Sequence, residues 1–289
     1  MRGIVIGGFS VVGLMGFSLL IFSSANLSFF WLFLELVTLS TVPLFFLGGG
    51  LGCLSGLFNY IVISGISSSL ILCGVLSSDL LFVLVLGLLF KFGLFPLWGW
   101  VYGVSLSSNW LVVWSLSTFL KAPVFFLPLF LASGGYSLVN VLCCLSFLSL
   151  SILFWVYSFG WFHCWCHMML SSSAALVAMC LVLSSDVLLF IFLVYCVWGS
   201  FVILFFSSCG EGGGVFGLWG YYFFCFLLLS IPVSFSIFYK LVMVSGMFSC
   251  WFVVLVSWVI YSVSEQVYLL KFVMSFDLPK GVYGVFSVV

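Results

Sequence analysis

LLFKFGLFPLWGWV, residues 88–101, places one lysine in an apolar run and follows it with a glycine and a proline. In a soluble domain Lys91 would turn outward to a charged, hydrated surface. The composition provides no such surface: of 289 residues, 66% are hydrophobic and 4% charged, and mean hydropathy is +1.49. Soluble domains carry about 25% charged residues. A membrane-spanning helix needs about 20 mostly apolar residues, and nearly the whole sequence consists of such runs. The reading that follows is an all-α polytopic membrane protein without a soluble domain, with Lys91 inside a span.

Outward from Lys91, breaks marked by Gly, Ser and scarce charges delimit ten expected spans. They fall at about 3–23, 27–47, 54–76, 79–102, 109–131, 137–158, 164–183, 186–207, 216–246 and 249–273. The first run is longer than the apolar core of a signal peptide, about 7–15 residues, and is read as a span that stays. Asp79 and Asp186 each follow paired serines and suit helix starts, where Ser and Asp cap and the dipole favours negative charge. The glycine-rich stretches at 48–56 and 210–217 lack the spacing and strand context of a nucleotide loop and are read as flexible connections. Eleven cysteines, scattered along apolar runs, read as small buried hydrophobes. Zero net charge argues against nucleic-acid partners and leaves membrane lipids as the surroundings.

Among the charges, Arg2, Glu211, Asp277 and Lys280 lie at ends or connections, whereas Glu35, Lys91, Lys121 and Lys240 lie well inside apolar runs. Each costs about 2.5–3.5 kcal/mol at a helix centre. Such residues persist where they face an interior, pair with one another or carry ions. Three lysines against one glutamate cannot all pair, so a proton-handling row is expected in preference to static pairing. Pro96, Pro123 and Pro232 accompany the lysines. Proline removes a helix hydrogen bond, and inside a membrane such breaks occur where the freed groups face protein or a cavity. Ionisable groups beside broken helices are the pattern of ion-coupled transporters.

GWFHCWCHMML, residues 160–170, gathers His163, Cys164, Cys166 and His167. On one helix these four cannot surround a tetrahedral ion, and zinc-site spacings are absent. No metal is expected there.

The stretch at 88–101 resembles the K-L-G-x-A-P-F-H-F-W-V motif of the NADH dehydrogenase subunit 2 family, the mitochondrially encoded antiporter-like membrane subunits of respiratory complex I. Lys91, Gly93, Pro96, Trp100 and Val101 match; Phe95 and Trp98 depart. FFWLFLELVTLSTVPL (29–44) is similar to W-x-G-L-E-x-N-x-L-x-F-I-P-L through Trp31, Leu34, Glu35, Leu39 and Pro43. STFLKAPV (117–124) is similar to L-T-W-Q-K-L-A-P through Thr118, Lys121, Ala122 and Pro123. SIPVSFSIFYK (230–240) shares Pro232 and Lys240 with G-L-P-P-L-T-G-F-L-P-K. The motifs fall in family order between about residues 28 and 272. Asn59 stands where many relatives carry lysine, and Tyr102 and Gly103 replace a Pro-Glu pair. Cys166 and His167 stand in the register of a family Arg-Lys pair and Ser172 and Ser173 in that of its serines, so the resemblance implies that His167 lies at a basic helix entrance near the membrane surface.

The resemblance implies an antiporter-like fold of two inverted five-helix repeats, with the fourth and ninth helices broken. The halves would be residues 1–131 and 132–273, followed by a short tail, 274–289. It implies proton translocation through Glu35, Lys91, Lys121 and Lys240, driven by electron transfer from NADH to ubiquinone in other subunits. FMN, iron–sulfur clusters and the quinone site would belong to those subunits, with no cofactor expected in this chain. Partners would be other complex I membrane subunits, including antiporter-like neighbours, in the mitochondrial inner membrane of an invertebrate. The abundance of Phe, Gly, Val, Trp and Cys, whose codons are rich in T and G, fits an organelle genome. A free-standing cation/proton antiporter would use the same broken helices and buried lysines and is the alternative.

Overall fold

The computed structural model describes residues 2–24, 26–48, 51–77, 80–131, 136–209 and 218–275. Asp79, Glu211, Asp277, Lys280 and nearly all of the expected tail lie outside these residues. The chain divides into two compact units, Met1–Tyr136 and Ser137–Val289.

In the first unit, α1 (Arg2–Ser23) packs along α2 (Leu27–Phe45), and α2 along α3 (Leu51–Leu76). The fourth segment consists of α4 (Leu81–Phe92) and α5 (Gly99–Ser107), both packed on α3. The fifth runs through α6 (Trp110–Ser117), a 3₁₀ stretch (Phe119–Phe126) and α7 (Leu127–Leu131). The α3–α4 seam is close because Gly87 has no side chain. A Cβ there would come within 2.9 Å of Ser67 O and of Ile71 Cγ1. Small residues permit such approach where lipid supplies no hydrophobic drive between helices.

In the second unit α8 (Tyr136–Val156) and α9 (Trp161–Cys180) are followed by α10 (Ser185–Cys209). A fourth, interrupted segment is formed by α11 (Leu218–Leu228) and α12 (Phe235–Met247), and α13 (Phe252–Ser275) is the fifth. Asp186 falls in the first turn of α10, where the helix dipole favours its charge. Every residue of α9 except Phe162 is buried. Its aromatic and histidine rings meet Phe154 of α8, Phe206 of α10, Phe224 of α11 and Phe272 of α13. Enclosed by protein, α9 can carry Ser171, Ser172 and Ser173 without exposing them to lipid.

Seven continuous segments are long and apolar enough to cross a membrane. With α9 and the two interrupted segments they make ten among the described residues. Phe9, Phe58 and Phe252 are each more than two-thirds exposed, a surface that suits hydrocarbon. The protein is therefore a multi-pass, all-helical membrane protein with interruptions in its fourth and ninth segments.

Three expectations need correction. The stretch 48–56 is a connection only in part, since helix resumes at Leu51 and Gly56 packs against Ser107. The fifth segment is not one α-helix: eight residues around Lys121 and Pro123 are wound as 3₁₀, where runs beyond three or four residues are uncommon. His167 is enclosed by protein and is not an exposed basic residue at a helix entrance. It is fully buried, with Nε2 3.1 Å from Ser158 Oγ and 3.2 Å from Tyr157 O. The α8–α9 connection folds back over the start of its own helix, which periodicity does not reveal.

Candidate functional site

Lys91 ends α4. Gly93 follows in the left-handed region at φ 68°, where a residue without a Cβ is favoured, and it caps the helix. Pro96 then lies in the six-residue interruption before α5. Across the gap, Trp100 Nε1 donates to Phe90 O at 3.1 Å, a second bond to a carbonyl that also accepts from Gly93 N–H at 3.1 Å. The helix end also favours a cation, because its dipole is negative there.

The lysine faces Glu35 of α2. Nζ and Oε1 are 3.9 Å apart, with side-chain exposures of 5% for Lys91 and 25% for Glu35. This is ion-pair range but beyond a hydrogen bond, and neither atom closes one elsewhere in the structure. The pair is loosely held. Lys121, 3% exposed, lies on the 3₁₀ stretch, which packs against α4. Pro123 follows in the same stretch. Asn59 of α3 approaches α5, its Nδ2 lying 3.4 Å from where a Cβ on Gly103 would be. Thus α2, α4 and the 3₁₀ stretch place Glu35, Lys91 and Lys121 in the interior of one unit.

The second unit contains a tighter pair. The interruption between α11 and α12 includes Pro232 and Val233, the latter at φ 76°. Ser234 caps α12 by accepting from Ile237 N–H at 3.1 Å. Lys240 Nζ on α12 lies 2.9 Å from Glu265 Oε1 on α13 and 3.4 Å from Ser262 Oγ. Next to Glu265, Gln266 accepts from Ser230 N–H at 2.9 Å and donates to Leu228 O at 3.3 Å and Glu265 Oε1 at 3.1 Å. Leu228 O also accepts from Ser236 Oγ at 3.1 Å, so Gln266 and Ser236 together hold the backbone at the break, and Gln266 supports the carboxylate.

Glu265 corrects the charge count made from the sequence: Lys240 has its own carboxylate. The signal was present, because Glu265 lies near the middle of the span expected at 249–273. The polar neighbours Ser262, Ser264 and Gln266 disguised it as a helix flank. The histidine–cysteine stretch forms part of the α9 packing. None of the eleven cysteines forms a disulfide among the described residues, and no group of three or more His, Cys, Asp or Glu among the described residues could hold a metal ion.

The fold is shared with solved membrane complexes. A chain of respiratory complex I from Thermus thermophilus, solved with bound aureothin, superposes with a TM-score of 0.75 at 18% identity, over 94% of this chain and 70% of that one. A chain of the Mrp complex from Dietzia sp. DQ12-45-1b gives 0.71 at 14% identity, over 85% and 56%. A chain of the membrane-bound sulfane sulfur reductase, an archaeal respiratory membrane complex, gives 0.68 at 13% identity, over 89% and 63%. The present chain thus spans between about half and 70% of these neighbours' lengths. No protein-family model and no curated protein sequence matches it.

Proposed function

We propose that the chain is a proton-translocating membrane subunit of a respiratory NADH:ubiquinone oxidoreductase, of the NADH dehydrogenase subunit 2 kind, in the mitochondrial inner membrane of an invertebrate. The observation that carries this reading is the buried, loosely held Glu35–Lys91 pair beside a broken helix. The order of the four sequence motifs and the fold shared with a Thermus complex I chain support it. Electrons would pass from NADH through FMN and iron–sulfur clusters to ubiquinone in partner subunits. Antiporter-like neighbours would adjoin this chain in the membrane.

The chemistry of this chain is then proton transfer between side chains. An opposite charge nearby favours the ionised form of a group, so small movements of Glu35 would alter how firmly Lys91 holds its proton. Lys121 would act as the central relay and Lys240 as the outlet or link to the next subunit. Pro96 and Pro232 mark the backbone interruptions that admit polar groups along the route, with Pro123 in the altered winding at Lys121.

Lys121→Met and Lys240→Met, each introduced into the assembled complex in sealed vesicles, should reduce NADH-driven proton uptake at least tenfold. Unchanged uptake in both variants would overturn the relay. Isolation of the chain without NADH-oxidising partners, together with cation/proton exchange by the purified chain, would establish the antiporter reading instead.

A further inference from the structure

Lys240 and Glu265 line a cavity of about 20 Å³ in the second unit, together with Ser171 and Ser172 of α9 and Tyr261 and Ser262 of α13. The volume is sufficient for about one water, which needs 2–4 polar partners, and this wall supplies them. The buried Tyr261 hydroxyl closes no hydrogen bond among the described residues and belongs to a residue of the cavity wall. Both members of the pair are largely buried, with side-chain exposures of 13% for Lys240 and 7% for Glu265. Gln266 connects the carboxylate to the backbone of the interrupted segment.

We infer that Glu265 is a further proton-carrying carboxylate of this chain, working with Lys240 across a water-sized cavity as the acid–base pair of the second unit. The inference rests on the translocation reading above and extends it to a residue outside the motif matches. A static pair would need only the 2.9 Å contact. Here the contact borders a water-sized cavity whose wall is largely apolar, with Met168, Trp198, Met243 and Trp258, but places its polar groups together, so a water held by them can pass a proton to the carboxylate.

The step balances. A hydronium ion in the cavity gives one proton to a Glu265 carboxylate oxygen; a hydronium O–H bond breaks, a carboxyl O–H bond forms, and water remains. The Lys240 ammonium, now without its counter-charge, gives a proton to water on its outward side, with one N–H bond broken and one O–H bond formed. The neutral amine then takes the carboxyl proton and restores the ammonium–carboxylate pair. One proton enters, one leaves and no electrons move.

The test compares Lys240→Met, Glu265→Gln and Glu265→Asp in the assembled complex reconstituted into liposomes. NADH oxidation by a soluble ubiquinone analogue and proton uptake are recorded together. Glu265→Gln should lower protons moved per NADH at least tenfold, and Glu265→Asp should recover at least half of the original ratio. A wild-type ratio in Glu265→Gln with a collapsed ratio in Lys240→Met would overturn the role of Glu265 while leaving the relay intact. An unchanged ratio in Lys240→Met would remove Lys240 from the relay and overturn this inference with it. Infrared difference spectra of turnover against rest provide a second readout should Glu265→Gln fail to assemble. A carboxyl C=O band present in wild type should shift in Glu265→Asp; absence of that shift would overturn the inference.

Discussion

Two lysine–carboxylate pairs of the same chemistry sit at different separations, 3.9 Å for Glu35–Lys91 and 2.9 Å for Lys240–Glu265. Removing one partner of a well-formed buried pair leaves an uncompensated charge and costs about 3–5 kcal/mol. Glu265→Ala falls under that rule, because it takes the carboxylate from a lysine that is largely buried. Glu35→Ala removes a partner that is a quarter exposed and makes no hydrogen bond to Lys91. Thermal unfolding in detergent should therefore show a much larger loss for Glu265→Ala than for Glu35→Ala; equal losses would contradict the looseness of the first pair. The sequence reveals such residues unevenly. Glu35 and Lys91 stand out because only apolar side chains flank them, whereas Glu265 is hidden by polar neighbours on its own helix. His167 misleads for a related reason: its burial depends on a connection folding back, and adjacency in sequence does not encode that.

At the scale of elements, glycine and proline announce where segments break but not what closes the break. The closing groups come from elsewhere: Trp100 donates to Phe90 O across the first interruption, and Gln266 reaches Leu228 O and Ser230 N across the second. Gln266 is 36 residues from Ser230, beyond any local pattern. The 3₁₀ winding at Lys121 is likewise invisible to apolar periodicity, although Pro123 accounts for a disturbance near it. An unsatisfied buried polar group costs about 1–3 kcal/mol. Gln266→Leu takes from the Ser230 N–H its acceptor and from Glu265 a donor, with Leu228 O still accepting from Ser236 Oγ, whereas Trp100→Phe leaves Phe90 O its bond from Gly93 N–H. Thermal unfolding should show Gln266→Leu as the more destabilising, and hydrogen exchange should rise at Ser230 in that variant. Unaltered exchange at Ser230 would mean that another group holds the break.

For the whole molecule, composition and run length suffice to read ten membrane segments, because a lipid-facing surface imposes its requirement at nearly every position. They say much less about α9, whose surroundings are protein and whose serines and histidines answer to packing. They also leave unread that each compact unit contains a complete carboxylate–lysine pair. Each pair has its partners within its own unit and shares none with the other, so their contributions to stability should be independent. Mutations at independent sites add within about 0.3–0.5 kcal/mol. Unfolding free energies of Glu35→Gln, Glu265→Gln and the double variant should obey that sum. Proton translocation should not, because residues acting as one unit are grossly non-additive. If the pairs are successive stations on one route, either single variant should stop most proton uptake and the double variant should remove little more. If each single variant instead retained about half and only the double abolished uptake, two parallel routes would replace the single relay. Measuring both quantities on the same three variants separates how the fold is held from how the proton moves.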